Sequence, residues 1–135
     1  MKYMLIINTI RNGYEQYMNW PKATLEANAT FMQAFAAKLK ASGELVSTAG
    51  LATPVEARRV RAGKDGRPVT DGVFPETKEF LAGYWIIDVA SAERADEIAA
   101  EASTAPCAPM RHSDGTMVDQ LWIEVREIMR GRHDL

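Results

Sequence analysis

Residues 70–89, TDGVFPETKEFLAGYWIIDV, form the most distinctive stretch of the chain and decide its fold. The second half, residues 81–89, combines aromatic side chains with two isoleucines, a composition with strong β-propensity. It therefore predicts a central strand. The first half, residues 70–79, contains an Asp-Gly step and a proline, and we expect it to form a charged loop that leads into this strand.

The chain begins with another buried strand. Residues 2–8, KYMLIIN, are a nearly continuous apolar run, which is typical of a strand covered on both faces or close to it. Residues 9–20 are polar and include the turn dipeptide Asn12-Gly13. We therefore expect them to form a loop or a short irregular turn.

A long amphipathic helix and a further strand follow this loop. Pro21 suits a first helical position, and apolar side chains then recur at spacings of three and four residues as far as Leu39. Gly43 supplies the left-handed conformation with which helices often end. Residues 44–51, rich in small and branched side chains, predict the next strand.

A polar hairpin is predicted before the central strand. Asp65-Gly66 is a strong turn signal between residues 55–61 and residues 67–69, which are extended in pattern. The first of these segments is polar on both faces, which favours an exposed or edge strand. Its basic residues include Arg59 and Arg61, which either contact an anionic ligand or belong to a solvated hairpin edge.

The C-terminal part of the chain predicts one more helix and one more strand. Ser91 is a suitable N-cap for a helix in which alanines and an isoleucine keep helical spacing, and the proline-containing residues 105–109 end it. In residues 117–128 apolar and polar side chains alternate, which indicates a closing strand.

The order of these elements predicts an α+β fold. It corresponds to a ferredoxin-like antiparallel sheet with two helices on one face. The other face of such a sheet would be apolar and uncovered. We therefore expect a second copy of the chain to pack against it, which makes the protein a homodimer.

Length and composition restrict the class of protein. A chain of 135 residues is expected to form a single domain over residues 1–135 with one hydrophobic core. The net charge of −2 gives no broad positive field, which disfavours a nucleic-acid partner. Cys107 is the only cysteine, so no internal disulfide forms and a reducing compartment is indicated.

The sequence also disfavours several locations and kinds of site. No stretch approaches the roughly 20 apolar residues that span a bilayer, and the apolar run at residues 4–7 is not followed by a cleavage pattern. We expect a soluble, cytoplasmic protein without a membrane partner. Histidine, cysteine and carboxylates do not occur at metal-ligand spacing, and no glycine-rich phosphate loop is present, so we expect neither a metal nor a cofactor.

Residues 69–79, VTDGVFPETKE, followed by AGY and the central strand, resemble the DGPF family of YCII-related proteins. The opening KYMLII, the helix that starts at Ser91 and the closing IEVREI fall where that family has its equivalents, so the resemblance covers nearly the whole chain. It implies the dimeric α/β-barrel fold. Val73 stands where the family has a proline, and the loss of a fixed backbone angle loosens the turn unless Pro75 restores its rigidity.

The resemblance implies a fold more than an activity. Relatives in the broader YCII group resemble enzymes because a His and an Asp face a cleft. Asp71 matches the Asp of the signature, but the only histidines are His112 and His133, so the dyad is not carried over to this chain. DGPF-type proteins also resemble companions of extracytoplasmic-function sigma factors, which implies a regulatory or ligand-sensing role as the alternative.

Asp71 is the candidate catalytic residue. A carboxylate near an apolar pocket can act as a general acid or base. The same residue also suits ordinary turn chemistry, in which the carboxylate accepts backbone N–H bonds. Glu76, Lys78 and Glu79 form a charged cluster nearby, which is either a paired-carboxylate site or a solvated loop.

We expect a ligand cavity between the sheet and the helices, with Asp71 at its mouth. Its predicted lining consists of strand residues and one residue of the closing segment: Met4, Ile6, Tyr84, Ile86 and Trp122. Three functions remain open on this basis. They are a small-molecule-binding enzyme, a non-catalytic regulatory or ligand-sensing module, and a dimerisation scaffold with a filled interior.

Overall fold

The computed structural model describes residues 1–72, 79–112 and 114–131. None of the helices in these ranges is long and apolar enough to cross a membrane. The elements follow in the order β1 (Lys2–Ile10), α1 (Gly13–Met18), α2 (Lys22–Ala41), β2 (Leu45–Gly50), a 3-10 turn (Pro54–Glu56), β3 (Arg58–Ala62), β4 (Pro68–Gly72), β5 (Glu79–Asp88), α3 (Ala92–Ala102), β6 (Met110–Arg111), β7 (Met117–Val118) and β8 (Glu124–Glu127).

Four of these strands form one open antiparallel sheet in the order β2-β5-β1-β8. As predicted, β5 is a central strand, and it pairs with both β1 and β2. On its other side, β1 pairs with β8, so the first and last strands of the chain are neighbours. The α+β class and the ferredoxin-like arrangement are thereby confirmed.

The hydrophobic core lies between one face of this sheet and the helices α2 and α3. Leu5 of β1 and Ile87 of β5 have no exposed surface, and Leu39 of α2 and Ile98 of α3 are almost as completely buried. Burying a side chain of this size contributes about 1.5–3 kcal/mol. The packing of these four side chains therefore holds α2 and α3 on the same face of the sheet.

The start of α3 is fixed by a cap and an ion pair. The Ser91 hydroxyl accepts a hydrogen bond of 3.1 Å from the backbone N–H of Arg94, which confirms the predicted N-cap. The Arg94 guanidinium donates two hydrogen bonds of 2.9 Å to the carboxylate of Glu44, just after α2. Mainly because of these bonds, the pKa of Glu44 falls to about 2. The pair ties the end of α2 to the first turn of α3.

β3 and β4 form a separate two-stranded sheet, the hairpin that the sequence predicts. In its turn the Asp65 carboxylate accepts a hydrogen bond of 3.0 Å from the backbone N–H of Arg67. Gly66 has a φ of 80°, a conformation that glycine adopts without steric cost. Every residue of both strands is exposed. The hairpin is therefore a surface feature of the chain, as expected.

The expected loop over residues 9–20 is wrong. β1 continues to Ile10, and the helix α1 occupies part of the segment. Gly13 begins this helix at a position where a Cβ atom would collide with the Thr9 hydroxyl oxygen. The glycine of the Asn-Gly dipeptide therefore lies in close packing between β1 and α1, and not in an open turn.

The expected strand over residues 117–128 is wrong in its extent. Two shorter strands, β7 and β8, lie in this range, and they belong to different sheets. β7 pairs with β6, whereas β8 pairs with β1 only as far as Ile6. Just beyond this point, between Ile7 and Asn8, the register of β1 against β5 shifts. Such an irregularity bends a strand, and the alternating pattern of the sequence carries no sign of it.

The sheet face opposite the core carries four apolar or aromatic side chains. Met4 pairs with Ile86, and Ile6 pairs with Tyr84. These residues alternate with the core residues along β1 and β5, so they point away from the helices. We call this surface the open face. The homodimer expected to form through it stays a prediction.

Candidate functional site

A cavity of about 630 Å³ lies between the sheet and the helices α1 and α2. It is bordered by Ile7 and Thr9, in the second half of β1, where the strand has passed the packed core. The facing side of α2 contributes Asn28 and Met32. We refer to this space as the α1 cavity.

Small residues form the floor of the α1 cavity. Gly50 of β2 pairs with Gly83 of β5, next to Ala49 and Ala82. A Cβ atom added to Gly83 would lie 3.1 Å from the Ala49 carbonyl oxygen, whereas one added to Gly50 would meet no atom within 4 Å. Glycine in a strand marks either a close backbone contact or room for a ligand. Gly83 is an example of the first, and Gly50 leaves open space.

Aromatic side chains form the wall on the side of α1. Tyr14 and Tyr17 lie on the helix, and Trp20 follows it. Tyr17 and Trp20 pack edge to face with ring centroids 5.0 Å apart, a favourable arrangement for two aromatic rings. The Nε1 atom of Trp20 is buried and has no hydrogen-bond partner among the described residues. Among the described residues, this wall therefore contains a buried indole N–H without a hydrogen-bond partner.

Two side-chain amides join the walls of the cavity. Gln16 Nε2 donates a hydrogen bond to the backbone carbonyl oxygen of Arg111, and Gln16 Oε1 accepts one from the backbone N–H of Arg111. Both bonds measure 2.8 Å. We call this pair the Gln16 clasp. On α2, Asn28 Nδ2 donates a hydrogen bond of 2.9 Å to the carbonyl oxygen of Pro106. Through these bonds, α1 and α2 are each connected to the segment that follows α3.

Within the described ranges, the α1 cavity has no lining aspartate, glutamate, lysine, arginine or histidine. Cys107 contributes a thiol whose pKa is raised, first by burial and then by the nearby Asp119 carboxylate. A thiol of this kind stays protonated near neutral pH and is a poor nucleophile. The described lining can therefore enclose an apolar molecule and offer hydroxyl and amide groups, but it supplies no charged partner.

The predicted lining residues lie in three different places. Tyr84 borders the α1 cavity, but it pairs with Ile6, so its side chain lies with that of Ile6 on the open face. Met4, Ile6 and Ile86 belong to the open face, on the other side of the sheet. Trp122 is 82 % exposed and borders a smaller pocket of about 210 Å³ near the end of α3. The structure thus places one of the predicted residues beside the cavity, with its side chain on the open face, and separates the others from the cavity.

Asp71 lies on the exposed hairpin, near the end of β4. Its Oδ2 accepts a hydrogen bond of 3.2 Å from Arg59 Nη2, and its Oδ1 accepts one of 2.8 Å from the N–H of Gly72. The side chain is 81 % exposed, and Asp71 is not among the described residues that line the α1 cavity. Arg61 donates a long hydrogen bond of 3.4 Å to the Ala62 carbonyl oxygen. Arg59 and Asp71 are therefore partners of each other on the surface.

The charged cluster and the histidines are placed only in part. Glu76, Lys78 and His133 lie outside the described residues. Glu79 is the exposed first residue of β5. His112 lies between β6 and β7, where its backbone N–H donates a hydrogen bond to the Thr116 carbonyl oxygen. It is not among the described residues that border the α1 cavity.

The sequence contains signals for the α1 cavity that the initial interpretation misses. Tyr14, Tyr17 and Trp20 are spaced by three residues, a spacing that places side chains on one side of a helix. The Ala-Gly step inside the central strand marks a place where backbone or ligand approaches closely. The two signals lie far from each other in the chain, so only the fold shows that they border the same cavity.

Comparison with known proteins agrees with this architecture. A family model for the YCII-related domain matches residues 1–106, a range that includes β1 through α3. The same range contains the floor and the aromatic wall of the α1 cavity. No curated protein gave a significant match. The chain therefore belongs to the family of proteins that carry a YCII-related domain.

Proposed function

We propose that the protein binds a small, uncharged and largely apolar molecule in the α1 cavity. One observation carries this proposal: about 630 Å³ of space is bordered by aromatic and small side chains and, among the described residues, by no charged group. Ligand pockets in proteins typically measure about 300–1,000 Å³ and are lined mostly by apolar and aromatic residues with a few polar groups. The α1 cavity agrees with this description in size and in lining.

The chemistry of the lining favours a neutral ligand. An ionised group loses roughly several kcal/mol of hydration free energy when it moves from water into an apolar site, unless it pairs with an opposite charge there. The polar groups at the described lining are neutral, such as the amide of Asn28 and the hydroxyl of Thr48. A carboxylate or phosphate would find no counter-charge among them.

A binding or ligand-sensing role agrees better with the geometry than catalysis by Asp71 does. The Asp71 carboxylate is exposed and already accepts hydrogen bonds from Arg59 and Gly72. A general acid or base has to lie within hydrogen-bond reach of the reacting group. Of the hypotheses that the sequence leaves open, we therefore favour the non-catalytic module that holds a small molecule.

Binding of the neutral dye Nile red, followed by its fluorescence, tests this proposal. The full chain should bind the dye saturably, because the dye is apolar and uncharged. The variant Gly50→Phe should weaken binding about tenfold, equivalent to about 1.4 kcal/mol, since its side chain enters the space above the cavity floor.

Gly72→Phe is the matched control for this experiment. Gly72 is also a strand glycine with no atom within 4 Å of an added Cβ, but it lies on the hairpin and not at the cavity. This variant should bind the dye as the unchanged chain does. Equal affinity in all three proteins would mean that the dye binds elsewhere, for instance at the open face, and would contradict the proposal.

We also infer that the protein forms a homodimer through the open face. On the open face Met4, Tyr84 and Ile86 are half-buried and Ile6 is buried, and together they form an apolar patch at the centre of the sheet against which a second sheet can pack. In sedimentation velocity, the full chain should behave as a dimer, and Ile86→Glu should shift it to monomer. Val60→Glu, on the exposed hairpin, should stay dimeric. A monomeric unchanged chain contradicts this inference.

A further inference from the structure

The backbone hydrogen bonds of the β3–β4 hairpin determine which of its groups face outward. The N–H of Gly63 donates a hydrogen bond of 2.8 Å to the Arg67 carbonyl oxygen, next to the turn. From this pair onward, bonded and non-bonded pairs alternate along an antiparallel ladder. The backbone groups of every second residue therefore point away from the partner strand: Arg58, Val60 and Ala62 on β3, and Pro68, Thr70 and Gly72 on β4.

The outer edge of β4 is blocked at both of its ends. Pro68 has no N–H to donate. At the other end, the Gly72 carbonyl oxygen already accepts a hydrogen bond of 2.6 Å from Arg59 Nε. Proline is one of the devices by which natural edge strands avoid further pairing. A strand added along β4 would therefore lack part of its hydrogen bonds.

The outer edge of β3 is open over the same length. This strand contains no proline, and all five of its residues are exposed. Arg61 Nη1 donates a long hydrogen bond of 3.4 Å to the outward carbonyl oxygen of Ala62. Within the described part of the chain, no other hydrogen bond reaches the outward groups of Arg58, Val60 and Ala62. An edge of this kind is a template for another strand, and a third strand would stabilise a hairpin that is marginal alone.

The charge of β3 determines which strand fits its open edge. Arg58, Arg59 and Arg61 make up three of its five residues, and it contains no acidic residue. If β3 of a second copy paired antiparallel about Val60, Arg59 of each copy would lie opposite Arg61 of the other. Like charges directly opposite each other destabilise a sheet, whereas opposite charges stabilise it. The edge therefore disfavours a copy of itself and favours an acidic strand.

We propose that the outer edge of β3 binds an extended, acidic segment of a partner protein as the third strand of the hairpin. This site is separate from the proposed function, because no residue of β3 borders the α1 cavity. The main chain of β3 would supply the hydrogen bonds and its side chains the selectivity. Acidic residues would lie opposite Arg59 and Arg61, and an apolar residue opposite Val60, which is 57 % exposed.

Fluorescence anisotropy with a labelled peptide of sequence GSEVEVEGS tests this proposal on the full chain. At low ionic strength the peptide should bind saturably and about tenfold more tightly than GSKVKVKGS, because the lysines of the second peptide would lie opposite arginines. Equal binding of the two peptides, or binding of neither, overturns the proposal.

Val60→Pro separates strand addition from general attraction between charges. It removes an outward N–H of β3 and leaves every arginine in place, so it should weaken binding of the acidic peptide about tenfold. Thr70→Pro is the matched control, because Thr70 pairs with Val60 and its N–H points outward on the other edge. It should bind within about twofold of the unchanged chain. Pro68 already occupies an outward position of this hairpin, so both variants are compatible with it. Equal affinities in all three proteins would overturn the proposal.

A second measurement uses only the unchanged chain and does not depend on how the variants fold. When the acidic peptide saturates the protein, hydrogen exchange at the Val60 and Ala62 amides should slow about tenfold, because both N–H groups become donors in the new ladder. Exchange at the Thr70 amide, on the other edge, should keep its rate. Equal slowing on both edges, or on neither, would contradict strand addition to β3.

A nucleic acid is the competing anionic partner for these arginines. An oligothymidylate of matched length should bind more weakly than the acidic peptide in the same assay, because phosphates cannot continue a backbone ladder and the chain has a net charge of −2. Tighter binding of the oligonucleotide would overturn the proposal.

Discussion

The two ends of the helix-covered sheet face are built from the same strands and yet differ in packing. At one end, Leu5 and Ile87 meet Leu39 and Ile98, and no side chain of this group is more than 2 % exposed. At the other end, the strands present Gly50 together with neighbouring glycine and alanine residues, and they border the α1 cavity of about 630 Å³. The side chains are smaller at the cavity end, and there the register of β1 against β5 also shifts between Ile7 and Asn8.

One sheet therefore combines an end that stabilises the fold with an end that can bind a ligand. Large aliphatic side chains fill the packed end, whereas the α1 cavity is partly open to solvent. The helices α2 and α3 cover the packed end, and α1 with its aromatic rings and the first part of α2 border the cavity end. Stability is concentrated where large aliphatic side chains meet, and the other end is left available for a ligand.

The largest expected effect on stability comes from a substitution at the packed end. Ile87→Ala should lower the free energy of unfolding by about 3–4 kcal/mol, because it removes a completely buried side chain and leaves a cavity. Ile7→Ala, at the half-buried border of the α1 cavity, should cost only about 1 kcal/mol. Urea unfolding measures both variants. Equal losses would show that the two ends are packed alike.

The next effect concerns the ion pair at the packed end, between Glu44 and Arg94. The folded chain holds the pKa of Glu44 at about 2, against an ordinary value of 4.5. The stabilisation is therefore fully present above pH 4.5 and is lost as the pH falls toward 2. We expect Glu44→Gln to lose about 1–2 kcal/mol at pH 6 and to equal the unchanged chain near pH 2, since the Arg94 side chain is partly solvated.

Urea unfolding between pH 6 and pH 2 provides this measurement. Glu97→Gln is the matched control, because Glu97 also pairs with Arg94 but has a well-exposed side chain. It should lose much less stability at pH 6. A Glu44→Gln variant whose deficit does not change with pH would contradict the assigned role of the carboxylate.

A smaller effect is expected at the cavity end, from the Gln16 clasp. Gln16→Ala removes both hydrogen bonds to Arg111 and should cost about 1 kcal/mol. Hydrogen exchange at the Arg111 amide should become faster, because its acceptor is the Gln16 side chain. Gln33→Ala, at an exposed glutamine of α2 that also borders the cavity, serves as the control and should leave this exchange rate unchanged.

The smallest effect is expected on the hairpin, away from both ends. Asp71→Asn should change the free energy of unfolding by at most about 0.5 kcal/mol, because the ion pair with Arg59 is exposed. Thermal unfolding followed by circular dichroism checks this. A loss of several kcal/mol would instead show that the carboxylate is essential for the turn. Unchanged binding of Nile red in this variant would further support a site that does not involve Asp71.

Much of the fold follows from local patterns, and the exceptions have local reasons. The start of α3 is predicted because Ser91 is a good N-cap, and the hairpin turn because Asp65-Gly66 favours a left-handed residue. The helix α1 is missed because Asn12-Gly13 reads as an open turn. Its glycine packs against the side chain of Thr9, a contact that turn propensity does not contain.

The candidate site is predicted less well than the fold. The sequence indicates a cavity between sheet and helices, but it cannot tell which alternate residues of a strand face the helices when both sets are apolar. The side chains of Tyr84 and of Ile6, its partner in the sheet, both lie on the open face, whereas the prediction assigns them to the cavity. Trp122 is assigned to the lining because the closing strand is expected to be continuous, and the structure divides that strand.

By itself, the sequence determines most of the elements and the α+β class of this protein. Apolar runs, turn dipeptides and caps specify strands and helices because their effects act over a few residues. The tertiary structure alone decides that Trp20, Gly50 and Cys107 border one space. These residues are distant in the chain, and they meet because β2, β5 and β1 pair in a particular register while α1 folds over the end of β1. Residues 79–88 form a central strand of the sheet, and the uncharged space beside this strand supports the proposed function.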